Sequence, residues 1–474
     1  MTLALLLAPA LVLNDRWDDE RLRELRDSPV LIAAGLLGAA VFLSAIAALI
    51  VRRPESLALF AIAALPFRVP IEAGGDSANL LLPLYAVIAA GVAAEVWKML
   101  TRPSGKRPAP SDSKALRYLP WALAAYVVLY ALQGIHSADF SKAVENLGFF
   151  LVPFAVLAAL LARIEWRPRL LGFALAILVA EAALFALIGF AEYGLRELLW
   201  NPTIIEANEV HSYFRVNSLF WDPNILGRYL MVTIVAVLAL MLWERRPERA
   251  LRAGAIALLL LAGLTVTFSQ SSLAGLLTGL AVLAGLRWSA RWTAAVCLGV
   301  IAAVIAAVLL SGGVDLSEKA LENESSGRAG LVRGGVELAG DAPIAGHGTG
   351  SFEVTYGERF VSGGEDKAIV SHTEPVTVLA EQGAIGFIVY VATVVLALVA
   401  LTVGIRRYAP GMRGGGGALL DGGATTNAAT ARAALLAALA AMIVHSLSYA
   451  AFFTDPITWM LLAIGLALAA GDRR

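Results

Sequence analysis

Residues 370–404 read VSHTEPVTVLAEQGAIGFIVYVATVVLALVALTVG. From Val376 onward the stretch is an apolar run with the ~20 residues that a helix needs to cross the hydrocarbon of a bilayer. A titratable histidine, His372, lies just before this run, and Pro375 suits the first turn of a helix. The stretch therefore predicts a membrane-spanning helix that starts beside a group able to exchange protons near neutral pH.

The whole chain has the composition of a membrane protein. Of its 474 residues, 59% are hydrophobic and 16% are charged, and the mean hydropathy is +0.74. A soluble protein carries about 25% charged residues. The net charge of zero gives no indication of nucleic-acid binding. The single cysteine, Cys297, excludes an internal disulfide framework and a cysteine-rich metal site. The sequence predicts an all-α polytopic membrane protein surrounded by membrane lipids.

Apolar runs recur along most of the chain, and we expect about 12–14 transmembrane helices. Three regions follow: an N-terminal transmembrane bundle at 1–311, a large extracytoplasmic loop with short helices at 312–375, and C-terminal transmembrane helices at 376–474. The segment Leu3–Leu13 is too short to assign. The expected spans are Val30–Val51, Leu57–Phe67, Leu80–Leu100, Tyr118–Ile135, Leu147–Ala162, Leu170–Ala191, Ile225–Trp243, Ala253–Phe268, Ser272–Leu286, Trp292–Ser311, Val376–Gly404, Ala433–Ser448 and Ile457–Ala470.

Lysine and arginine residues cluster on alternate loops, which orients the chain because such loops stay in the cytoplasm. This assignment leaves two long segments outside, Tyr193–Asn224 and Gly312–Pro375. The residues His211, Arg215, Arg328, His347 and His372 all lie on these two segments. We therefore expect any chemistry at the outer face.

Three of these outer residues are candidates for a site. Arg215 lies among aromatic residues, where it can bind a lipid phosphate or remain a stacked interfacial arginine. Arg328 is expected in the first turn of a short helix that runs to Gly340, where a cation opposes the helix dipole. His372 can serve as a base near neutral pH, and Glu374 can orient its ring or cap the following helix.

Other polar residues have structural interpretations. Asp222 and Pro223 read as a helix N-cap followed by proline at the first helical position. The hydroxyls of residues 269–272 are expected to cap helix ends in a tight turn, and the glycines of residues 346–350 read as turn glycines. His445, late in an apolar span, is expected to be packed and hydrogen-bonded.

Two charges lie inside apolar runs. An unpaired charge at that depth costs at least about 2.5–3.5 kcal/mol on insertion scales. Glu181 and Arg228 occur in successive spans and have opposite signs, which favours a structural ion pair between them. A role in a site is the alternative.

Three stretches, taken in order and spacing, resemble the family of bacterial O-antigen ligases and O-antigen polymerases. They are RVNSLFWDPN (215–224), GRAGLVRGGVELAGDAPIAGHGTGSF (327–352) and SHTEPVTVLAEQGAIG (371–386). The resemblance covers the chain from Arg215 to Phe387, and the N-terminal third is similar only in hydropathy.

The resemblance implies a membrane glycosyltransferase that needs no cofactor. Family members take a glycan from undecaprenyl diphosphate at the outer face of the inner membrane. They transfer it to a hydroxyl of lipid A core, of a growing glycan or of another acceptor, in the manner of metal-independent inverting glycosyltransferases. Carried over to this chain, Arg215 and Arg328 hold the diphosphate, and His372 is the base or the group that orients the acceptor.

One position departs from the family pattern. Many members have an arginine where this chain has Gln270, so diphosphate binding rests on fewer cations, or Arg228 or Arg333 compensates.

The chemistry of the residues agrees with this implication, because guanidinium groups bind phosphate bidentately and pre-placed cations stabilise a departing diphosphate. No cluster has the spacing of a zinc site. A transporter or flippase of lipid-linked glycans is the main alternative, since transporters place paired charges near the midplane. A scaffold without catalysis leaves the outer residues without a role.

Overall fold

The computed structural model describes residues 28–73, 76–101, 113–199, 201–210, 213–310, 328–361, 372–405 and 423–471. The segment Leu3–Leu13 and the parts 312–327 and 362–371 of the predicted outer loop lie outside these ranges. In chain order the elements are α1 (Pro29–Arg52), α2 (Glu55–Ala64), β1 (Val69–Ala73), β2 (Asp76–Leu80), α3 (Leu82–Thr101), α4 (Lys114–Gly134), α5 (Phe140–Glu145), a π-helical turn (Asn146–Leu151), α6 (Val152–Leu161), α7 (Pro168–Leu195), α8 (Pro202–Val210), α9 (Pro223–Trp243), α10 (Pro247–Val266), α11 (Gln270–Ala284), a second π-helical turn (Gly285–Ser289), α12 (Ala290–Leu310), α13 (Arg328–Asp341), α14 (Phe352–Phe360), α15 (Glu374–Thr402), α16 (Gly423–Ser446) and α17 (Pro456–Gly471).

The helical membrane architecture is confirmed. Within the described residues, nine helical runs are long and apolar enough to cross a bilayer, and three shorter apolar helices accompany them. Predicted span Leu57–Phe67 is one of the short ones, observed as α2. A small antiparallel hairpin of β1 and β2, which pairs Val69 with Leu80, was not predicted.

One predicted loop is absent from the described structure. The spans Ser272–Leu286 and Trp292–Ser311 were expected to be separate, because Arg287 and Arg291 suggested a cytoplasmic loop. Instead α11, the second π-helical turn and α12 form one helical run. No proline interrupts this stretch. The Nε of Arg287 donates to the Leu242 carbonyl oxygen at 3.1 Å, so the cation is accommodated without leaving the helix.

The surface confirms that apolar side chains face outward. In α1, Leu36, Val41 and Phe42 are 69%, 61% and 61% exposed. A water-soluble protein buries such side chains, whereas hydrocarbon solvates them. The exposed face of α1 is therefore a lipid-facing surface.

Helix α9 lies at the centre of the bundle, where α7, α10, α11 and α16 pack around it. Close approach depends on small residues. A Cβ at Gly263 of α10 would lie 2.7 Å from the Cβ of Ala186 in α7, and one at Gly275 of α11 would lie 2.4 Å from Sδ of Met231 in α9. Small residues at helix contacts are the usual way in which membrane helices gain packing.

Several connecting segments meet at one end of the bundle, which we call the loop face: residues 135–139, 213–222, 267–269, 342–351, 372–373 and 447–455. The Ala138 amide donates to the His347 carbonyl oxygen at 3.2 Å, and the Val216 amide donates to the Val266 carbonyl oxygen at 3.3 Å. Residues 213–222, 342–351 and 372–373 of this face belong to the two long segments that were predicted to lie outside the cytoplasm.

A break in helix α15 anchors the loop face. Gly383 has φ 62° and ψ −164°, which interrupts the helix two turns after its start. The amide of Ala384 then donates to the Pro343 carbonyl oxygen at 2.8 Å, and the amide of Gly348 donates to the Glu381 carbonyl oxygen at 2.8 Å. The backbone groups released by the break are thus satisfied by residues 342–351 rather than left unpaired in a membrane.

The carboxylate of Glu381 completes this anchor. It accepts hydrogen bonds from the amides of Gly350 at 2.9 Å and Phe352 at 3.2 Å. Gln133 at the end of α4 donates through Nε2 to the Ala345 carbonyl oxygen at 3.2 Å and to the Gln382 carbonyl oxygen at 2.9 Å. Residues 342–352 are therefore held by side chains from two membrane helices.

Replacing Gly383 with alanine is expected to destabilise the protein by about 1–3 kcal/mol, because an L residue is strained at this positive φ. The added Cβ would also lie 2.4 Å from the carbonyl oxygen of Ile344. Gly172→Ala is the matched control, since a Cβ there meets nothing within 4 Å and alanine is favoured in a helix. Unfolding of both variants in detergent micelles measures the difference, and equal stability of the two would contradict the expectation.

Candidate active site

Arg215 is fixed on the loop face by its backbone and by its side chain. Asn208 in α8 accepts from the Arg215 amide through Oδ1 and donates to its carbonyl oxygen through Nδ2, each at 2.9 Å. The guanidinium donates through Nε to the Thr267 carbonyl oxygen at 3.1 Å and through Nη2 to Asn224 Oδ1 at 3.2 Å. Arg215 is half-buried, so part of its fork remains available to a ligand.

A series of hydrogen-bonded polar side chains supports Arg215 through its partner Asn224. Oγ of Ser269 donates to Asn224 Oδ1 at 2.9 Å, and Oγ of Ser271 lies 3.3 Å from Nε2 of His445. Ser269 also caps α11, accepting from the Ser272 amide, which confirms the predicted capping turn. His445 is 1% exposed and hydrogen-bonded, as expected.

Arg328 is the first residue of α13, which confirms the short helix predicted there. Gly335 lets this helix pack closely on α15, because a Cβ at Gly335 would lie 2.5 Å from Cγ1 of Val376. The start of α13 is thereby held near the start of α15. No hydrogen bond or ion pair with another described residue involves the Arg328 guanidinium, which is half-buried.

His372 lies two residues before α15 and is half-buried. Its Nδ1 is buried and has no hydrogen-bond partner among the described residues. Burial lowers the pKa of His372 below its ordinary value of 6.5, the charge of Arg328 lowers it further, and Asp222 acts in the opposite direction. A histidine with a lowered pKa is neutral at pH 7 and can accept a proton.

The three predicted site residues share one electrostatic neighbourhood around Asp222. Burial lowers the pKa of Arg328, the charge of Arg215 lowers it further, and Tyr213 and Asp222 raise it. His372 in turn is affected by Arg328 and Asp222. Because such effects decay with distance and screening, the groups lie close together. Together with the packing of α13 on α15 at Gly335, these interactions place Arg328 within electrostatic range of both Arg215 and His372, and we call these three residues with Asp222 the cluster.

Asp222 has two roles, as the N-cap of α9 and as a charge that acts on Arg328 and His372, and the sequence indicated only the first. It is the N-cap of α9, followed by proline at the first helical position, as predicted. Its carboxylate also acts on Arg328 and His372. A capping aspartate has the same sequence signature whether or not a site surrounds it, so no signal could have revealed the second role.

The predicted pair of Glu181 and Arg228 was wrong. Nη1 of Arg228 forms a buried ion pair with Asp455, and the Arg228 guanidinium lies 5.1 Å from the ring centroid of Tyr449. Glu181 instead accepts a hydrogen bond from the hydroxyl of Tyr229 at 2.5 Å. Adjacent helical residues point about 100° apart, so Tyr229 faces α7 while Arg228 faces the start of α17.

The remaining candidates lie outside the cluster or serve other contacts. Glu374 accepts from the Phe452 amide at 3.2 Å, so it binds the 447–455 segment rather than orienting His372. Gln270 is exposed in the first turn of α11. Arg333 is exposed, and its Nε pairs with Glu337 at 3.2 Å along α13.

Arg68 and Asp455 are buried charges that the sequence analysis missed. Nη2 of Arg68 lies 3.7 Å from the Asp455 carboxylate, which Arg228 also contacts. Both residues lie just outside apolar runs, where a charge is expected at a surface.

The positive charge that the described cluster offers comes from arginine. Within the described ranges, no three His, Cys, Asp or Glu side chains converge into a group that could hold a metal ion.

Comparison with protein families finds a match for the part of the chain that carries Arg328 and His372. Residues 255–391 match the family model Wzy_C, described as O-antigen ligase. The matched region contains Arg328 and His372 and ends within α15, while Arg215 precedes it. A search of curated proteins found no match. Residues 255–391 of this multi-pass helical membrane protein are therefore similar to the O-antigen ligase domain, and this match supports an assignment to the O-antigen ligase/polymerase family.

Proposed function

We propose that the protein transfers a glycan from undecaprenyl diphosphate to an acceptor hydroxyl at the periplasmic face of the bacterial inner membrane. The observation that carries the proposal is that Arg215 and His372 lie on the loop face and that Arg328, at the start of α13, interacts electrostatically with both. Two forked cations suit a diphosphate, and a neutral imidazole suits a hydroxyl that must lose a proton.

The proposed reaction is a single displacement. Nδ1 or Nε2 of His372 takes the proton of the acceptor hydroxyl as its oxygen attacks the anomeric carbon of the donor sugar. The bond from that carbon to the diphosphate oxygen breaks, and its electron pair stays with the diphosphate. Attack from the face opposite the leaving group inverts the anomeric configuration.

The arginines stabilise the leaving group in this proposal. Negative charge builds on the phosphate oxygens as the sugar departs, and cations already in place lower the energy of that state more than the energy of the bound donor. Arg215 is held by Asn224 and Thr267 before any ligand arrives, so little reorganisation is needed. Because arginine supplies the charge, we propose a metal-independent reaction.

The acceptor is a hydroxyl of lipid A core, of a growing glycan or of another envelope molecule. A ligase and a polymerase require the same diphosphate clamp and base, and they differ in the acceptor. Their products differ as well, since a ligase adds one block and a polymerase builds a ladder.

The experiment that tests the proposal incubates purified protein with an undecaprenyl-diphosphate oligosaccharide and acceptor in EDTA. Transfer to the acceptor, with release of undecaprenyl diphosphate, is the expected result. Movement of the lipid-linked glycan across a vesicle membrane without transfer would favour the flippase instead. Transfer that stops in EDTA and returns with a divalent cation would overturn metal independence alone.

The pH dependence of transfer follows from the lowered pKa of His372. The base must be neutral, so activity is lost as the pH falls through the pKa of the folded protein. Because that pKa lies below 6.5, the midpoint of the acidic limb of kcat/KM is expected below pH 6.5.

A variant at Asp222 checks the sign of this dependence. Asp222→Asn keeps a good helix N-cap and removes the negative charge that raises the pKa of His372. Its acidic limb is expected to shift to lower pH than in wild type. An acidic limb at or above pH 6.5 in wild type, or a shift of the variant to higher pH, would contradict the assignment of His372 as the base.

A further inference from the structure

Two aromatic rings lie side by side on the loop face. The rings of Tyr213 and Phe268 are stacked, with their centroids 5.0 Å apart and their planes at 29°. Each of the two residues is 41% exposed, although they come from different segments of the loop face. We call these two side chains the ring pair. The ring pair presents an apolar aromatic surface outside the core of the bundle.

The ring pair borders both arginines of the cluster. Nε of Arg215 donates to the carbonyl oxygen of Thr267, which is the residue before Phe268. Tyr213 precedes Arg215 by two residues and is close enough to Arg328 to raise the pKa of its guanidinium. A diphosphate held by these two guanidinium groups would therefore place the group attached to it beside the rings.

The backbone holds Phe268 in a conformation that a phenylalanine rarely adopts. Its φ is 51°, in the left-handed region that glycine occupies without steric cost. The Phe268 amide donates to the Thr265 carbonyl oxygen at 3.0 Å, and the Ser269 amide donates to Oγ1 of Thr267 at 3.2 Å. Glycine would form this turn more easily, so the turn itself does not account for a phenylalanine. Backbone strain of this kind concentrates at ligand-binding sites.

The chemistry of the ring pair fits a sugar. The face of an aromatic ring carries partial negative charge, and the axial C–H groups on one face of a pyranose carry partial positive charge. A sugar face therefore stacks on an aromatic ring while its hydroxyls remain in contact with water. An aromatic residue can also anchor a helix at the membrane interface, but that role does not require a strained residue beside two cations.

We propose that Tyr213 and Phe268 bind the face of the sugar that is attached to the donor's diphosphate. The proposal rests on the donor assigned under the proposed function and deepens it. The arginines recognise a diphosphate, which every donor of this class carries, whereas the ring pair recognises the sugar. The contact exists in the bound donor as well as in the transition state, so it should act mainly on KM for the donor.

A matched pair of leucine variants isolates the aromatic face. Phe268→Leu keeps an apolar side chain and removes the ring. Phe140→Leu is the control, because Phe140 is an exposed aromatic residue in α5, directly after residues 135–139 of the loop face. Phe268→Tyr restores a ring at the same position. Tyr213→Leu is the second variant of the ring pair, for use if Phe268→Leu does not fold.

The first measurement compares two ligands in detergent micelles without acceptor: an undecaprenyl-diphosphate oligosaccharide and undecaprenyl diphosphate without sugar. Phe268→Leu is expected to weaken binding of the oligosaccharide donor about tenfold, the loss typical of one aromatic contact. Its affinity for undecaprenyl diphosphate should equal that of wild type. Phe140→Leu should bind both ligands as wild type does, and Phe268→Tyr should recover the affinity that Phe268→Leu loses.

The second measurement is transfer kinetics with each substrate varied in turn. Phe268→Leu should raise KM for the donor about tenfold and leave KM for the acceptor unchanged. Phe268→Gly should show the same kinetic loss without a lower melting temperature, because glycine relieves the positive φ as the ring is removed. A ring that only stabilises the turn predicts the opposite, a lower melting temperature with unchanged kinetics, and that result would overturn the proposal.

Three further results would refute the sugar contact. An equal loss of both ligands in Phe268→Leu would show that the ring acts through the arginines. An equal loss in Phe268→Leu and Phe140→Leu would show that exposed rings serve only to anchor the protein in the membrane. A raised KM for the acceptor alone would assign the ring pair to the other substrate.

Failure of this proposal and failure of the proposed function give different results. Transfer by wild type, with no selective loss of the sugar-linked donor in either leucine variant of the ring pair, would refute the sugar contact alone. Selective loss of that donor, with no transfer to any acceptor by wild type, would refute the proposed function and leave the sugar contact in place.

Discussion

His372→Gln is expected to lower the rate of glycan transfer about 10²–10⁴-fold, the range associated with a lost general base. Glutamine can still donate and accept hydrogen bonds, but it cannot take a proton from the acceptor. The half-buried position of His372 accommodates a side chain of similar size, so the variant should fold. Initial rates at saturating donor and acceptor measure the effect, because the loss should appear in kcat.

The matched control is His136→Gln, which changes an exposed histidine on the same loop face. Its transfer rate is expected to equal that of wild type. Thermal unfolding of both variants shows whether the fold is kept. A folded His372→Gln protein that transfers at the wild-type rate would remove His372 from the mechanism.

Arg215→Lys and Arg328→Lys are each expected to lower kcat/KM about 10²–10³-fold, the cost typical of removing one group that stabilises developing charge. Lysine retains the positive charge but loses the planar fork that binds two phosphate oxygens at once. In Arg215→Lys, the hydrogen bonds to Thr267 and Asn224 cannot both be kept in the same geometry. The alanine variants should also weaken binding of undecaprenyl diphosphate itself.

Arg359→Lys is the matched control for this pair. Arg359 is exposed in α14 and forms an ion pair with Asp341, away from the cluster around Asp222. Its transfer rate and its affinity for undecaprenyl diphosphate should not change. If the Arg215 and Arg328 alanine variants both bind undecaprenyl diphosphate as tightly as wild type, neither arginine holds the leaving group.

Hydropathy predicted most of the fold because the bilayer imposes one length on every spanning helix. Capping chemistry placed the start of α9 at Pro223 for a similarly local reason, since Asp222 and Pro223 act within one helical turn. The predictions that failed concern contacts between residues that are far apart in the chain. The choice of Asp455 rather than Glu181 as partner of Arg228 depends on which way each helix is rotated. Nothing in one span specifies the rotation of another.

The candidate site was predicted as a set of residues on one side, and not as a cluster. Arg215 lies more than a hundred residues before Arg328 and His372 in the chain, and loop composition alone placed the three together. Their proximity depends on the packing of α13 against α15 through Gly335, and on the break at Gly383. These contacts depend on backbone geometry. The residue types allow that geometry, but they do not specify it.

The break in α15 also limits how the protein can evolve. Gly346, Gly348, Gly350 and Gly383 all have positive φ, and a Cβ at each would lie within 3 Å of another segment's backbone. Substitution of any of these four glycines would weaken the contact between residues 342–351 and α15. We call this contact the platform, because it supports both Arg328 and His372. Homologous chains can therefore diversify in the sugars and acceptors they handle, but we expect the four glycines to change only together with the platform itself.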